Sequence, residues 1–339
     1  MNFTIIGGGK TGRALAVYLT SKGEKCIVKT RDAAKAALVN EKGIEAEGAL
    51  SGCFKAPMTT SMEEAAAFGD VIIIMTVANA HREVAEQLKP LLRKGQRIVV
   101  FNSNWGALEF KQVLGSLIDE LELIVAETGA QLFVASAKAE NHVSMTIKAR
   151  TSVCATDSSK TAQLIEELKE VFPQFAPAGS IIETTMSTTN PVIHVPLTIL
   201  NAARAENAQP FRFYADGASQ KGVDLVVALD RERIQVAKAL GCGIDDVLTG
   251  INSFWPDKYD NLFDALTKNP AYIKAAGPQL LDHRYLTEDV PFGIAPIAKI
   301  GRLFGIPTPY ADAVMAFCLA VFGEELVGGG IEFRREDFE

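Results

Sequence analysis

The sequence predicts an α/β protein in two parts. An N-terminal Rossmann-like, doubly wound sheet is expected over residues 1–184 and a mostly α-helical second domain over residues 185–339. Three observations carry that expectation. A buried-strand pattern at the chain start runs straight into the glycine cluster GGGKTG, Gly7 to Gly12. Apolar strands then alternate with helical patterns through short connections. After Thr185 strand-like runs vanish and helical periods dominate.

The run Asn2-Phe3-Thr4-Ile5-Ile6 is mostly apolar and β-branched, so it reads as a buried strand. Gly9-Lys10-Thr11 looks like the end of a nucleoside-triphosphate loop. That loop needs a glycine five places before its Gly-Lys pair, and Thr4 stands there, inside the strand. The dinucleotide pattern fits instead as Gly7, Gly9 and Gly12: a tight turn, a close approach of pyrophosphate, and close packing of helix on strand. Lys10 and Thr11 open the following helix, whose N–H groups and positive dipole end would meet the phosphates. Leu15, Tyr18 and Leu19 form its apolar face, and Lys22-Gly23 ends it. The bland alternative is a glycine turn with no ligand.

Lys25 to Thr30 reads as the second strand, and Asp32 caps a helix through Leu38. Gly43 to Gly52 suggests a small hairpin, and Ser61 to Glu64 a capping box. Asp70 to Thr76 has the unbroken apolar centre of a strand covered on both faces. A helix with Val84, Leu88 and Leu91 follows, closed by Lys94-Gly95, and His81 is expected to begin it on the surface. Further strands are expected at 97–102, 123–126, 143–148 and 152–155, then a helix from about Lys160 to Val171, with Ile181-Ile182 closing the sheet. In the second part, Gly217 to Leu240 predicts one long helix or two abutting ones, stopped by Gly241. Asp260 to Thr267 and Ala311 to Phe322 predict others, the latter primed by Pro307 and Pro309.

Bulk properties narrow the function class. Of 339 residues, 48% are hydrophobic, ample for two cores. A net charge of −7 and scattered Lys and Arg argue against an extended nucleic-acid surface. The apolar run Ala313 to Phe322 is far shorter than the ~20 residues a membrane span needs. Five dispersed cysteines without a C-x-x-C pair read as reduced core thiols, no metal site is expected, and the first residues do not read as a signal peptide. The expected location is the cytoplasm.

At the tip of the second strand stand Thr30 and Arg31, not an acid. Arg31 can pair bidentately with a ribose 2′-phosphate, with Lys29 or Lys10 adding charge, which favours NADP. The alternative is a solvent-exposed Arg31, with Asp32 serving NAD.

His194 lies in Asn190-Pro191-Val192-Ile193-His194-Val195-Pro196. Pro196 suits the first turn of a helix, which would put His194 at its mouth, and Asn201, seven residues on, shares the face. A satisfied structural histidine and a catalytic one both fit that spacing. The polar segment Asp282 to Gly293 contains Arg284, able to clamp a carboxylate, beside Thr287, Glu288 and Asp289. An acid against His194 would hold one tautomer and favour its protonated form. The alternative is a plain capping cluster before Pro291.

The GGGKTG start, the NPVIHVP segment with Asn201, LDRER (Leu229 to Arg233) and RYLTEDVPFG together resemble the octopine/nopaline dehydrogenase family, the opine dehydrogenases. The likeness spans nearly the whole chain, except that Val195 follows the histidine where many relatives have proline. The resemblance implies a helical domain like that of 6-phosphogluconate dehydrogenase. It implies His194 as proton relay, Asp289 as its carboxylate partner, Asn190 beside the reacting centre, and Arg284 on a substrate carboxylate; Asn201, from its shared helix face with His194, is expected at the substrate as well. It also implies reductive condensation of an α-keto acid such as pyruvate with an amino acid, using NAD(P)H, and by family habit a homodimer. A ketopantoate-reductase-like enzyme would share the glycine loop but use a lysine early in the helical domain, and none lies between Lys169 and Lys221. A non-enzymatic NADP-binding sensor would need no proton relay.

Overall fold

The computed structural model describes residues 1–338; the chain divides into two compact units, Met1–Thr185 and Met186–Glu339. The strands, in chain order, are β1 (Asn2–Ile6), β2 (Lys25–Lys29), β3 (Ile44–Gly48), β4 (Gly52–Phe54), β5 (Met58–Thr59), β6 (Val71–Ile74), β7 (Arg97–Val100), β8 (Ile124–Thr128), β9 (Phe133–Ser136), β10 (His142–Ile147), β11 (Thr151–Ala155) and β12 (Phe175–Pro177). All lie in the first unit.

One sheet has the order β12-β11-β8-β7-β6-β1-β2-β5. Strands β5 to β8 in that order pair in parallel, and β11 turns antiparallel to β8. The chain steps outward from β1 to β2 and β5, then returns to β6 on the other side. The carboxyl ends of β1 and β6 therefore form the switch point at which such sheets bind ligands. Ile5, Ile72, Ile73, Ile74, Ile98 and Val100 are fully buried, which explains the continuous apolar runs.

A second sheet, β4-β3-β10-β9, was not legible as such. The expected hairpin is present as β3 and β4, but β3 also pairs in parallel with β10. The segment around Val143 therefore belongs here and not to the main sheet, together with β9, which the sequence reading passed over. This sheet covers the outer face of the helix Lys10–Ser21. Gly12 to Leu19 are consequently buried on every face, where a single apolar face was expected. Even Arg13 is buried, donating to the Gly8 carbonyl at 2.9 Å, and the Tyr18 ring lies 5.5 Å from Phe133.

Local expectations fared unevenly. Asp32 caps its helix by accepting the Lys35 N–H at 2.9 Å, and the helix runs on to Lys42. Ser61 accepts the Glu64 N–H, but the Glu64 carboxylate turns to the Thr59 hydroxyl, which in turn accepts the Ser61 N–H, so the capping box is half made. Ile181-Ile182 does not close the sheet: it begins a helix, Ile181–Met186, and β12 is the edge. His81 starts its helix but is buried, at 1% exposure, and burial pulls its pKa down to about 4. None of the cysteines is in a disulfide; Cys26, Cys154 and Cys318 are buried, whereas Cys53 is exposed on β4 and not a core thiol.

In the second unit, Gln220–Ala239 is one helix, its Ser219 cap bonded to the Gly222 N–H. Its LDRER stretch is structural. Asp230 accepts from Arg233 Nε and from the Val247 N–H, each at 2.8 Å, and Arg233 also donates to the Met186 and Asp245 carbonyls. Glu232 accepts the Tyr310 and Ala311 N–H groups and so caps the helix Pro309–Phe322. Among the described residues no helix is long and apolar enough to cross a membrane.

The helix meets the glycine loop that leaves β1 at Gly12, where an added Cβ would lie 1.8 Å from the Gly7 carbonyl oxygen. Neither backbone can yield without moving the strand–loop–helix unit. Gly12→Ala is expected to cost about 3 kcal/mol or more, read as a lowered urea midpoint; an unchanged midpoint would contradict the packing.

Candidate active site

In the first unit, the glycine loop follows β1. Gly7 has φ +124°, and a Cβ there would lie 2.8 Å from the Met75 carbonyl oxygen just past β6. Gly9 caps the helix Lys10–Ser21 without a side-chain hydrogen bond, and a Cβ at Gly9 would meet nothing within 4 Å. The first turn carries no acidic side chain; Lys10 is exposed and Thr11 half-buried. Uncapped N–H groups, a positive dipole end and open space over a glycine fit a pyrophosphate. Gly8, which sequence reasoning passed over, lets the loop lie against Thr30, since a Cβ there would approach the Thr30 side chain to 2.8 Å. Thr30 is buried and its hydroxyl accepts the Asp32 N–H at 3.2 Å. Arg31 is exposed, while the Asp32 carboxylate is engaged as a helix cap.

In the second unit, the helix that carries His194 is Asn190–Leu200. It begins earlier than expected, with Pro191 in its first turn, so His194 lies in the helix body and not at its mouth. Pro196 sits inside the helix and offers no N–H to the Val192 carbonyl. Asn190 is exposed at the helix start, one turn before His194 on the same side. Asn201 ends the helix: its side-chain amide donates to the Leu197 and Gly217 carbonyls, both at 2.8 Å. Those bonds tie it to backbone.

His194 is 8% exposed, and its Nδ1 lies 2.7 Å from Asp289 Oδ2. A carboxylate only accepts, so Nδ1 carries the hydrogen and Nε2 is left for exchange. Asp289 is itself buried and stands just before a turn of π-helix, Val290–Ile294, with Pro291 in its first positions. Chain segments 95 residues apart thus place the acid on the imidazole. The Tyr285 ring stacks on His194 at 3.9 Å and 27°. His283 accepts the Tyr285 N–H at Nδ1, and burial with nearby Arg284 holds the His283 pKa below its ordinary value. Arg284 is exposed, its guanidinium 2.8 Å from the buried Glu288 carboxylate.

Sequence reasoning missed Tyr214. Its hydroxyl is 3.0 Å from His194 Nε2, and burial, then Tyr285, Tyr272 and Asp289, raise its pKa well above the ordinary phenol value. The only trace in the sequence was an aromatic pair, Phe213-Tyr214, in a polar segment; no helical spacing links it to position 194. Among the described residues no cluster of His, Cys, Asp and Glu has the arrangement of a metal site.

Comparison with known proteins bears on this arrangement. The family model for the α-helical domain of NAD/NADP octopine/nopaline dehydrogenase matches residues 177–322, and that of ketopantoate reductase PanE/ApbA matches residues 3–113. An opine dehydrogenase of Arthrobacter sp. (strain 1C) is 31% identical over 318 residues, covering 92% of this chain and 88% of that protein. Octopine dehydrogenase bound to NADH and L-arginine superposes with a TM-score of 0.79 at 17% identity, over 99% of this chain and all of that one. Yersinopine dehydrogenase with NADP+ gives 0.71 at 12% identity, over 97% and 95%. The chain belongs to the opine dehydrogenase family, NAD(P)H-dependent oxidoreductases that condense an α-keto acid with the amine of an amino acid and reduce the product.

Proposed function

We propose that this chain joins a pyruvate-like α-keto acid to an amino acid, with His194 and Asp289 as the proton relay and NADPH as the preferred reductant. The observation that carries this reading is the buried His194–Asp289 pair at 2.7 Å. The amine attacks the keto carbon, and the resulting hydroxyl must leave as water. That departure needs a proton, which an imidazolium can give and a neutral imidazole can take back in the reverse direction. Asp289 holds Nδ1–H and stabilises the charged ring, so the exchange runs through Nε2. The bound dinucleotide supplies the hydride that converts C=N to an amine.

Arg284 serves as the carboxylate anchor. Its exposed guanidinium is oriented by the buried Glu288, an arrangement that leaves other N–H groups for a second carboxylate. Asn190, one helical turn from His194, borders the reacting centre; Asn201 acts on the substrate only through the helix end it ties down. The uncapped helix start at Gly9 takes the pyrophosphate. Exposed Arg31 takes the 2′-phosphate, with Asp32 engaged as a cap.

The ketopantoate-reductase match over residues 3–113 favours a second reading, reduction of a keto acid without an amine. Oxidation of NADPH by pyruvate with and without a panel of amino acids separates the two. Turnover that requires the amine supports condensation, and equal turnover without it supports simple reduction.

His194→Ala is expected to lower kcat by ~10²–10⁴-fold with the dinucleotide still bound, measured by NADPH fluorescence. Asp289→Asn should lower kcat in the same direction, since an amide can present the wrong partner to Nδ1. Near-normal catalysis in His194→Ala would remove the relay.

Arg31→Ala is expected to raise the Kd for NADPH roughly tenfold or more while leaving NADH almost unchanged. Equal losses for both cofactors would count against a 2′-phosphate contact.

Arg284→Lys is expected to raise the KM of one carboxylate substrate by roughly tenfold, because an ammonium cannot reproduce the fork. Unaltered KM values for both substrates would show that Arg284 anchors neither.

A further inference from the structure

We propose that Tyr214 is the third member of the relay, its hydroxyl carrying the proton between His194 Nε2 and the substrate oxygen. This rests on the reading of His194 as proton donor. Asp289 occupies Nδ1, so Nε2 is the one ring nitrogen left to exchange a proton with substrate. Nε2 does not face open space: the Tyr214 hydroxyl stands 3.0 Å away. A substrate oxygen must therefore either displace that hydroxyl or receive the proton through it.

The packing favours transfer through it. Tyr214 is 8% exposed, its ring lying 4.9 Å from Phe213 at 78° and 4.8 Å from Tyr272 at 31°. Tyr272 is fixed in turn, its hydroxyl accepting the Trp255 Nε1–H at 3.2 Å. Swinging Tyr214 aside would open this aromatic packing and leave a buried polar tip to be rehoused. Staying in place needs no such rearrangement, because a hydroxyl donates and accepts at once.

The step balances without a new reagent. The Nε2–H bond of the imidazolium breaks as a new O–H bond forms on Tyr214, while the original Tyr214 O–H proton passes to the departing hydroxyl. The carbon–oxygen electron pair leaves with the water and the nitrogen lone pair closes the C=N bond. The positive charge thus moves from imidazolium to iminium. Tyr214 begins and ends as a neutral phenol. Burial, together with Tyr285, Tyr272 and Asp289 around it, disfavours phenolate, so the two protons move together. His283, edge-on to Tyr285 at 4.4 Å, and Arg284 with its partner Glu288 also border this cluster.

The test is Tyr214→Phe in the full-length protein, with pyruvate, NADPH and the amino acid of highest turnover in a panel. Phenylalanine keeps the ring packing and removes only the oxygen; an unchanged thermal midpoint and NADPH affinity check the fold. Single-turnover rates in H₂O/D₂O mixtures read the number of protons in flight. The expected result is a rate loss of ~10–10²-fold, that of a lost hydrogen bond to a charged group, with smaller changes in KM. The curved dependence on deuterium fraction in the parent should become linear in the variant. A rate that is unchanged or faster in Tyr214→Phe, or a linear dependence in the parent, overturns the proposal and makes the hydroxyl a placeholder that substrate displaces. Failure of the underlying reading looks different, since His194→Ala would then turn over normally.

Discussion

A carboxylate buried against an imidazole constrains most of the second unit. Moving a carboxylate out of water alone costs several kcal/mol, so the buried Asp289 needs a close donor, and a buried imidazole needs partners for both its nitrogens. The 2.7 Å contact meets the Asp289–Nδ1 side, and Tyr214 meets Nε2. Tyr285 stacks on one face of the ring, and Phe213 packs near it at a steep angle, 5.8 Å away. The low local dielectric that makes an unpaired charge costly also strengthens the pair once formed. The tautomer is fixed by the Asp289 contact at Nδ1, and the fixed tautomer gives the site a direction for proton exchange.

The first unit is governed by a different constraint, the distance between two backbones. Gly12 presses on the Gly7 carbonyl, and Gly7 presses on the end of β6, so the helix Lys10–Ser21 begins hard against the sheet. The second sheet clamps the helix from outside through Phe133 and Tyr18. Held from both sides, the helix keeps an uncapped start at Gly9 in one orientation. A rigid row of N–H groups is what an anion needs, because the ligand then meets donors already aligned.

The parts of this architecture that were legible in the sequence are those set by local pattern. The glycine spacing, the unbroken apolar strand at 71–74 and the Asp32 cap are short-range signals, and each formed as its chemistry dictates. The helix carrying His194 was misread because two prolines compete for its first turn, and Pro191 took it, leaving Pro196 inside. The second sheet was invisible because β3 and β10 are joined only by long-range pairing. His81 shows the same limit: a histidine at a helix start reads as surface, yet packing against Gly106 buries it, since a Cβ at Gly106 would touch its ring at 2.7 Å. Tyr214 was missed for the same reason; nothing in local spacing announces a hydroxyl brought to Nε2 by tertiary folding.

Residues that mark a family in sequence need not touch the chemistry. The LDRER segment and Asn201 both helped carry the likeness, and both work on backbone. Arg233 gathers the Met186 and Asp245 carbonyls, Glu232 takes two N–H groups at the start of another helix, and Asn201 donates to the Leu197 carbonyl of its own helix and to the Gly217 carbonyl of a neighbouring loop. The second unit is built from helices of mostly moderate length, so it has many ends, and each end leaves unbonded backbone groups. Where those ends are buried, solvent cannot meet them and side chains must. A long side chain able to reach two such groups is hard to replace by a shorter one. Strict sequence demands therefore arise at helix ends as surely as at a catalytic centre, and only the side chain's partners distinguish the two.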